Sequence, residues 1–116
     1  MLEVENETTE DYATCRPVGE IDAYTVGQFR EALTEHAEAP KLLIDLSQVP
    51  FIDSAGLGAL IGGIRRVREN QGIVAVFCDR EALIRLLHTT GFDRIVPVAE
   101  SLDAAVDALN NPSDDA

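Results

Sequence analysis

A carboxylate and a hydroxyl stand side by side, as Asp53 and Ser54, just ahead of an amphipathic helical pattern. Either side chain can accept a hydrogen bond from a free backbone N–H in the first turn of a helix, so one interpretation of Ser54 is a helix cap. A serine hydroxyl at this position also lies near the surface, where another protein can reach it. The second interpretation is therefore a phosphoacceptor, and the residues alone leave both interpretations open.

A phosphate on Ser54 would change the surface more than the fold. It would bring about −1.5 to −2 charges and three acceptor oxygens. A helix N-terminus tolerates such a group because its free N–H donors and its dipole favour an anion. A dianion beside Asp53, with Asp22 expected nearby, would repel an acidic or tightly packed partner.

Two glycines in the first turns of the same predicted helix also require a reason. Gly56 and Gly58 each lower helix stability by about 1 kcal/mol relative to Ala. One explanation is that another molecule approaches the backbone closely at these positions. The other is that the glycines only permit tight packing of the helix on a sheet, and spacing alone does not separate the two.

The elements that would position this segment begin with a hairpin. Residues 2–6 and 12–21 are predicted to be its strands, joined by a polar turn at residues 7–10. Pro17 lacks a ladder donor, which predicts that the second strand lies at a sheet edge or carries a bulge. Thr25 opens a capping-box pattern, and a helix ending before Pro40 is predicted to follow it, with apolar residues at Val26, Phe29, Leu33 and Ala37.

Strands and helices then alternate through the rest of the chain. Buried strands are predicted at residues 42–46 and 73–78, and a short strand at 94–98. The helix at residues 54–70 is expected to turn its arginines outward and to end at Gly72. Asp79 is predicted to cap a third helix that ends at Gly91, and Ser101 a fourth that runs through Leu109. The apolar positions of the third helix are Leu83, Leu86 and Leu87.

This alternation predicts an α/β fold. Strands separated by helices need crossover connections, so the sheet should be mainly parallel, with four to five strands, an antiparallel edge hairpin at the N-terminus and four helices. Residues 1–110 would form one domain, and residues 111–116 a disordered acidic tail. Loops at the carboxyl ends of parallel strands are where partners bind, and two such loops carry Asp22 and Asp53.

Composition narrows the possible partners. The chain has 116 residues, with 9 Lys and Arg against 21 Asp and Glu, for a formal net charge of −12. Such an acidic chain is a poor ligand for nucleic acid or anionic membranes. No apolar run has the length of a transmembrane segment, and the first residues lack the pattern of a signal peptide. Cys15 and Cys78 are predicted to be buried free thiols of a reducing compartment, which points to the cytoplasm.

The sequence lacks the residues that the common enzymatic functions would require. A G-x-S-x-G nucleophile would need a glycine where Ile52 stands. His36 and His88 fall late in predicted helices, where interaction with the dipole explains them better than base catalysis. A response regulator needs a lysine on a late strand, whereas Lys41, the single lysine, starts an early one. No metal ligand set or phosphate-binding loop is visible, so we expect no catalytic residue, metal or cofactor.

Two motifs together resemble a known family. The segment Gly19-Glu20-Ile21-Asp22, followed about 30 residues later by Phe51-Ile52-Asp53-Ser54-Ala55-Gly56-Leu57-Gly58, is similar to the STAS domain of bacterial anti-sigma factor antagonists. The element order and the length fit the same family over nearly the whole chain.

The resemblance implies a binding switch. An unphosphorylated antagonist of this kind binds an anti-sigma factor that is also a serine kinase with a GHKL-type ATP site, and the sigma factor is released. The kinase then phosphorylates the serine after the aspartate, here Ser54, and the complex dissociates; a metal-dependent serine phosphatase restores the hydroxyl. The resemblance gives the partner-binding residues as Asp22, Asp53, Ser54, Gly56, Leu57 and Gly58.

A rival function stays within the same fold. STAS domains also serve as accessory subunits of transport machines or as scaffolds in stress-signalling complexes, without a phosphorylation cycle. The intact pair of Asp53 and Ser54 favours the switch.

Overall fold

Short apolar runs and amphipathic segments alternate along the chain and form five strands and four α-helices in the computed structural model, which describes residues 2–112. In chain order the elements are β1 (Glu3–Thr8), β2 (Ala13–Val18), α1 (Val26–Glu35), β3 (Lys41–Asp45), α2 (Ser54–Glu69), β4 (Ile73–Phe77), α3 (Glu81–Thr89), a 3-10 turn (Phe92–Arg94), β5 (Val98–Ala99) and α4 (Leu102–Asn110). Part of the predicted acidic tail, residues 113–116, lies outside the described residues.

The strands lie in the sheet in the order in which they occur in the sequence. β1 pairs antiparallel with β2, and β2, β3, β4 and β5 follow as parallel neighbours. The predicted mainly parallel sheet with an antiparallel hairpin at its edge is confirmed. Because each crossover carries a helix, the N-termini of the helices lie at the edge of the sheet where the parallel strands end.

β3 shows how the sheet is buried on both faces. Leu42 and Ile44 belong to the larger core, which also contains buried residues of α1, α2 and α3, whereas Leu43 packs on the other face with Ala105 and Leu109 of α4. Successive side chains of a strand point to opposite faces, so an uninterrupted apolar run is what a two-sided burial requires. Three helices thus cover one face and α4 covers part of the other.

The prediction drawn from Pro17 is wrong. β2 is an inner strand, and its pairing with β1 runs residue for residue from Ala13 to Val18 without a bulge. The parallel pairing with β3 includes only the stretch from Ala13 to Cys15. Pro17 therefore lies beyond the β3 ladder, where its missing N–H removes no bond to that neighbour.

The end of α2 differs from the prediction in its mechanism. Gln71, not Gly72, adopts the left-handed conformation, with φ of 69°. The Gln71 N–H donates to the Arg68 carbonyl at 3.0 Å, and the Gly72 N–H donates to the Val67 carbonyl at 2.8 Å, which together form a Schellman motif. Gly72 is required for another reason, since a Cβ there would stand 2.6 Å from the Ala39 carbonyl oxygen.

Two smaller predictions about helix and strand ends are also corrected. Arg80 rather than Asp79 precedes α3, with no side-chain cap, and Leu86 is exposed. The strand expected at residues 94–98 is a 3-10 turn followed by the two-residue β5. Gly91, with φ of 79°, does end α3, and the Ser101 hydroxyl does cap α4 by accepting from the Ala104 N–H at 3.1 Å.

Candidate functional site

The two predicted loops lie side by side at the carboxyl edge of the sheet. Loop 1 (residues 19–25) precedes α1, and loop 2 (residues 46–53) precedes α2. The Ile21 N–H donates to the Phe51 carbonyl at 3.0 Å, and the Asp53 N–H donates to the Ile21 carbonyl at 3.1 Å. These bonds form a parallel bridge between Ile21 and Ile52, whose side chains are both buried. The structure therefore brings both motifs into one unit.

Asp53 fastens this unit through its side chain. Its Oδ1 accepts from the Gly56 N–H at 3.0 Å and so caps α2, while its Oδ2 accepts from the Ala23 N–H at 3.1 Å in loop 1. A capping carboxylate satisfies an orphan donor and interacts favourably with the helix dipole. Asp53 thus holds the start of α2 and loop 1 in a fixed relation.

Ser54 is the first residue of α2, and its side chain is exposed. Because Asp53 occupies the N-cap position, the Ser54 hydroxyl is not needed as the cap. Within residues 2–112 no protein group hydrogen-bonds to that hydroxyl. Of the two interpretations drawn from the sequence, the cap belongs to Asp53, and Ser54 presents a free hydroxyl beside a helix N-terminus.

Asp22 shapes loop 1 ahead of α1. Its Oδ1 accepts from the backbone N–H groups of Tyr24 at 2.9 Å and of Thr25 at 3.0 Å. The capping box predicted at Thr25 is wrong, because the Thr25 hydroxyl donates to the Glu20 carbonyl at 2.9 Å and accepts from the Asp22 N–H at 3.0 Å. Asp22 is half-buried, and its carboxylate belongs to the loop that Asp53 ties to α2.

Gly56 and Gly58, which lie in the first turns of α2, are present for different structural reasons. A Cβ on Gly56 would stand 2.7 Å from side-chain atoms of both Ile21 and Ile52, so this glycine permits the close packing of α2 on the paired loops. A Cβ on Gly58 would meet nothing within 4 Å. Packing therefore explains Gly56, whereas the exposed Gly58 leaves the helix backbone open to an approaching molecule. Between them, the half-buried Leu57 packs partly against the core.

Sequence reasoning missed two aromatic side chains beside the site. Tyr24 in loop 1 is 97% exposed, and Phe51 in loop 2 is 50% exposed. A signal was available, because the whole chain has only two Tyr and four Phe, and one of each lies two residues from Asp22 or Asp53. A surface aromatic in a loop otherwise gives no periodic pattern to detect.

A buried carboxylate also lies near this edge of the sheet. Asp45, the last residue of β3, accepts from Arg16 Nε at 2.9 Å and from the Ser47 N–H at 2.9 Å. The hydrogen bond to Asp45 raises the pKa of Arg16. Because both oxygens are engaged, this pair supports the start of loop 2 and offers no free acid or base.

The two histidines lie away from Ser54. His36 follows the last residue of α1 and lies 2.8 Å from Asn6 Oδ1, and His88 near the end of α3 lies 2.7 Å from Asp93. Helix C-termini lie at the opposite edge of the sheet from α2's N-terminus. Cys15 and Cys78 are free and buried, as predicted, and burial raises the pKa of Cys15 to about 12.

Residues 2–112 contain neither a cluster of metal ligands nor a membrane-spanning helix. Among residues 2–112, no three His, Cys, Asp or Glu side chains come together as metal ligands would. In the same range no helix combines the length and the apolar character needed to cross a bilayer.

Comparison with known proteins gives the family. The STAS domain model matches residues 3–105. The chain is 34% identical over 99 residues to an anti-sigma-B factor antagonist of Listeria monocytogenes, covering 84% of this chain and 86% of the relative. A crystal structure of an anti-sigma factor antagonist from Mycobacterium paratuberculosis superposes with a TM-score of 0.87, at 28% identity and 95% coverage of both chains.

A more distant structure shares the fold. The Bacillus cell fate determinant SpoIIAA in its phosphorylated form has a TM-score of 0.67 at 19% identity, covering 90% of this chain and 97% of that one. Since the STAS model spans most of the sequence and the Listeria relative aligns over most of both chains, the chain belongs to the STAS domain family.

Proposed function

We propose that this protein is an anti-sigma factor antagonist controlled by phosphorylation of Ser54. Unmodified, it binds an anti-sigma factor that is also a GHKL-type serine kinase, and the sigma factor is released. Phosphorylation of Ser54 ends the binding, and a metal-dependent serine phosphatase removes the phosphate. The chain acts as a binding protein in the cytoplasm, without a cofactor of its own.

One observation carries the proposal: Asp53 caps α2 with its own side chain and leaves the neighbouring Ser54 hydroxyl exposed and free. A phosphoacceptor must enter the active site of another enzyme, so it has to be accessible and held on a rigid element. The names of the relatives, which are anti-sigma factor antagonists, support the same role.

The phosphorylation step requires little from this chain. Ser54 Oγ attacks the γ-phosphorus of ATP, the bond from that phosphorus to the β,γ-bridging oxygen breaks, ADP leaves, and the kinase takes the hydroxyl proton. This chain supplies the position of the hydroxyl, through the cap at Asp53. We place Asp22, Leu57 and the open backbone at Gly58 in the docking surface around it.

Electrostatics explains why phosphate would end the complex. The new group would stand next to the carboxylate of Asp53 and close to the loop that carries Asp22. A surface that carries two carboxylates would gain about −1.5 to −2 further charges. In water this repulsion is screened, but burial of the bulky dianion against the partner would remove both the screening and its hydration, which disfavours the complex, whereas the helix dipole limits the cost to the fold itself.

The experiment incubates the chain with ATP and each purified GHKL-type kinase of the source genome. Intact-mass analysis should show the addition of one phosphate, and peptide fragmentation should place it at Ser54. Ser54→Ala should remain folded, accept no phosphate and stay bound to the kinase, while Ser54→Glu should bind weakly. Ser101→Ala is the matched control, since Ser101 also stands at a helix start but is the cap of α4. No phosphate, or phosphate at another residue, contradicts the proposal.

A further inference from the structure

We propose that Tyr24 and Phe51 are the apolar anchors with which this chain holds its anti-sigma factor, which presents an apolar recess with a basic rim beside the Ser54 contact. This inference rests on the proposed function and names the chemistry of its partner. It assigns the affinity of the complex to two side chains that flank the switch residue.

Tyr24 has a fixed backbone and a free side chain. Its N–H donates to Asp22 Oδ1 at 2.9 Å, and its neighbour Ala23 donates to Asp53 Oδ2 at 3.1 Å. The ring nevertheless lies almost wholly in solvent, at 97% exposure. An aromatic held in this way loses little conformational entropy when it is buried by a partner.

The Phe51 side chain points to the same outer side of loops 1 and 2 as the Asp53 side chain. Ile21 and Ile52 form the parallel bridge and are both directed into the core. Because side chains alternate along an extended segment, Phe51 and Asp53 on either side of Ile52 are directed outward. The Phe51 carbonyl accepts from the Ile21 N–H at 3.0 Å, so this residue is also anchored to loop 1.

The charges around the two rings define the rest of the partner. Residues 19–25 and 46–53 carry three carboxylates, Glu20, Asp22 and Asp53, and no basic side chain of their own, while Arg80 reaches loop 2 from outside and donates to the Ser47 carbonyl at 2.9 Å. A partner that buries the rings must meet these carboxylates at the rim, where basic groups give complementarity. The basic rim would also attract the acidic chain and so raise the rate at which it associates with the kinase.

Other exposed apolar residues lack this setting. Leu86, Ile95 and Leu102 are each between 36% and 45% exposed, and they lie in separate parts of the chain: in α3, after the 3-10 turn and in α4. Single exposed apolar residues are ordinary on protein surfaces. Two exposed aromatics on hydrogen-bonded loops beside a free serine fit the aromatic-rich centre of a binding interface.

The test titrates the anti-sigma factor kinase that binds the wild-type chain most tightly, chosen by titrating each purified kinase of the source genome. Tyr24→Ala and Phe51→Ala should each raise Kd by about tenfold or more, as the loss of an interface anchor does. Ile95→Ala, at the opposite edge of the sheet, is the matched control and should leave Kd within about twofold. All three variants should keep the wild-type circular dichroism spectrum.

The outcomes separate this inference from the proposed function. If wild type binds and Ser54→Glu does not, while both aromatic variants bind like wild type, the anchors are overturned and the switch stands. If the wild-type chain binds none of the kinases, both are overturned. Tyr24→Phe should retain wild-type affinity, because the proposal assigns the affinity to the ring and not to the hydroxyl.

Discussion

Asp53 and Ser54 divide two tasks that either side chain could perform. The carboxylate bonds to the Gly56 N–H of α2 and to the Ala23 N–H of loop 1, and the hydroxyl has neither bond. A carboxylate is the better choice for a double acceptor because it has two oxygens and a charge that the helix dipole favours. As a result, the Ser54 hydroxyl has no structural role in the cap.

This division gives a first prediction at the scale of the residue. Asp53→Ala should lower the free energy of unfolding by about 1–2 kcal/mol through loss of the cap. Ser54→Ala should change it by less than about 0.5 kcal/mol, as at a surface site without structural contacts. Urea denaturation of the two variants measures both values. Equal losses would show that Ser54 shares the cap.

His36 gives a second prediction, on pH. Burial lowers the pKa of His36 below its ordinary value of 6.5, an effect that the nearby Glu35 partly offsets. The folded chain therefore binds fewer protons at this site than the unfolded chain as pH falls through 6.5 toward the folded pKa, and stability is lost in that window. His36→Gln should remove this part of the pH dependence. Denaturation midpoints from pH 7.5 to 5.5 check it, and parallel curves for both proteins would contradict it.

At the scale of the element, α2 is the most informative helix. Its first turn fits against the two loops only because Gly56 has no side chain, and its exposed face carries Gly58 and, one turn later, Gly62. A Cβ on either exposed glycine would meet nothing within 4 Å. The fold thus requires one of these glycines and tolerates replacement of the other two.

The three glycines make a matched series. Gly56→Ala should destabilise the fold by about 1–3 kcal/mol, because overpacking outweighs the gain in helix propensity. Gly58→Ala and Gly62→Ala should each stabilise it by up to about 1 kcal/mol. Only Gly58→Ala should also weaken binding of the anti-sigma factor, with Gly62→Ala as its control. Thermal unfolding and binding titrations of the same samples would show whether stability and affinity separate in this way.

The C-terminus of α2 gives a fourth prediction. Gln71 holds a left-handed conformation that costs a residue with a Cβ about 1 kcal/mol or more. Gln71→Gly should therefore raise the free energy of unfolding by about 1 kcal/mol. Gln71→Ala keeps the Cβ and serves as the control, with no comparable gain. A destabilised glycine variant would mean that Gln71 makes a contact that offsets its backbone strain.

Most elements could be predicted from the sequence, whereas several of their ends could not. Leu42 to Ile44 form a strand because both faces of the sheet bury them, which an uninterrupted apolar run reveals. The ends that were predicted wrongly depend on tertiary contacts. The Thr25 hydroxyl bonds to the Glu20 carbonyl instead of capping α1, and Gly72 is dictated by the Ala39 carbonyl.

The candidate site was predicted in position but not in detail. Parallel topology placed both motif loops at one edge of the sheet, and the structure joins them through Ile21 and Ile52. Which of Asp53 and Ser54 forms the cap depends on side-chain geometry that spacing does not encode. The exposure of Tyr24 and Phe51 likewise follows from the loop conformation and from no pattern in the sequence.

At the scale of the whole molecule, the order of strands and helices places Ser54 and its loops away from the hydrophobic core. The N-termini of α1 and α2 lie at one edge with both loops, while the core fills the two faces of the sheet. A change at Ser54 therefore acts on a surface that contributes little to the core. Under the proposed function, this separation would let a charge on Ser54 alter binding without unfolding the domain.

The central claim is that phosphate on Ser54 abolishes binding and spares the fold. The most direct measurement is a titration of the anti-sigma factor kinase with the unmodified and the Ser54-phosphorylated chain, paired with urea denaturation of both. We expect Kd to rise by about 100-fold or more, as the cost of burying a dianion beside two carboxylates implies, and the free energy of unfolding to change by less than about 0.5 kcal/mol. Equal affinity of the two forms, or a loss of affinity that is matched by unfolding of the phosphorylated chain, would contradict it.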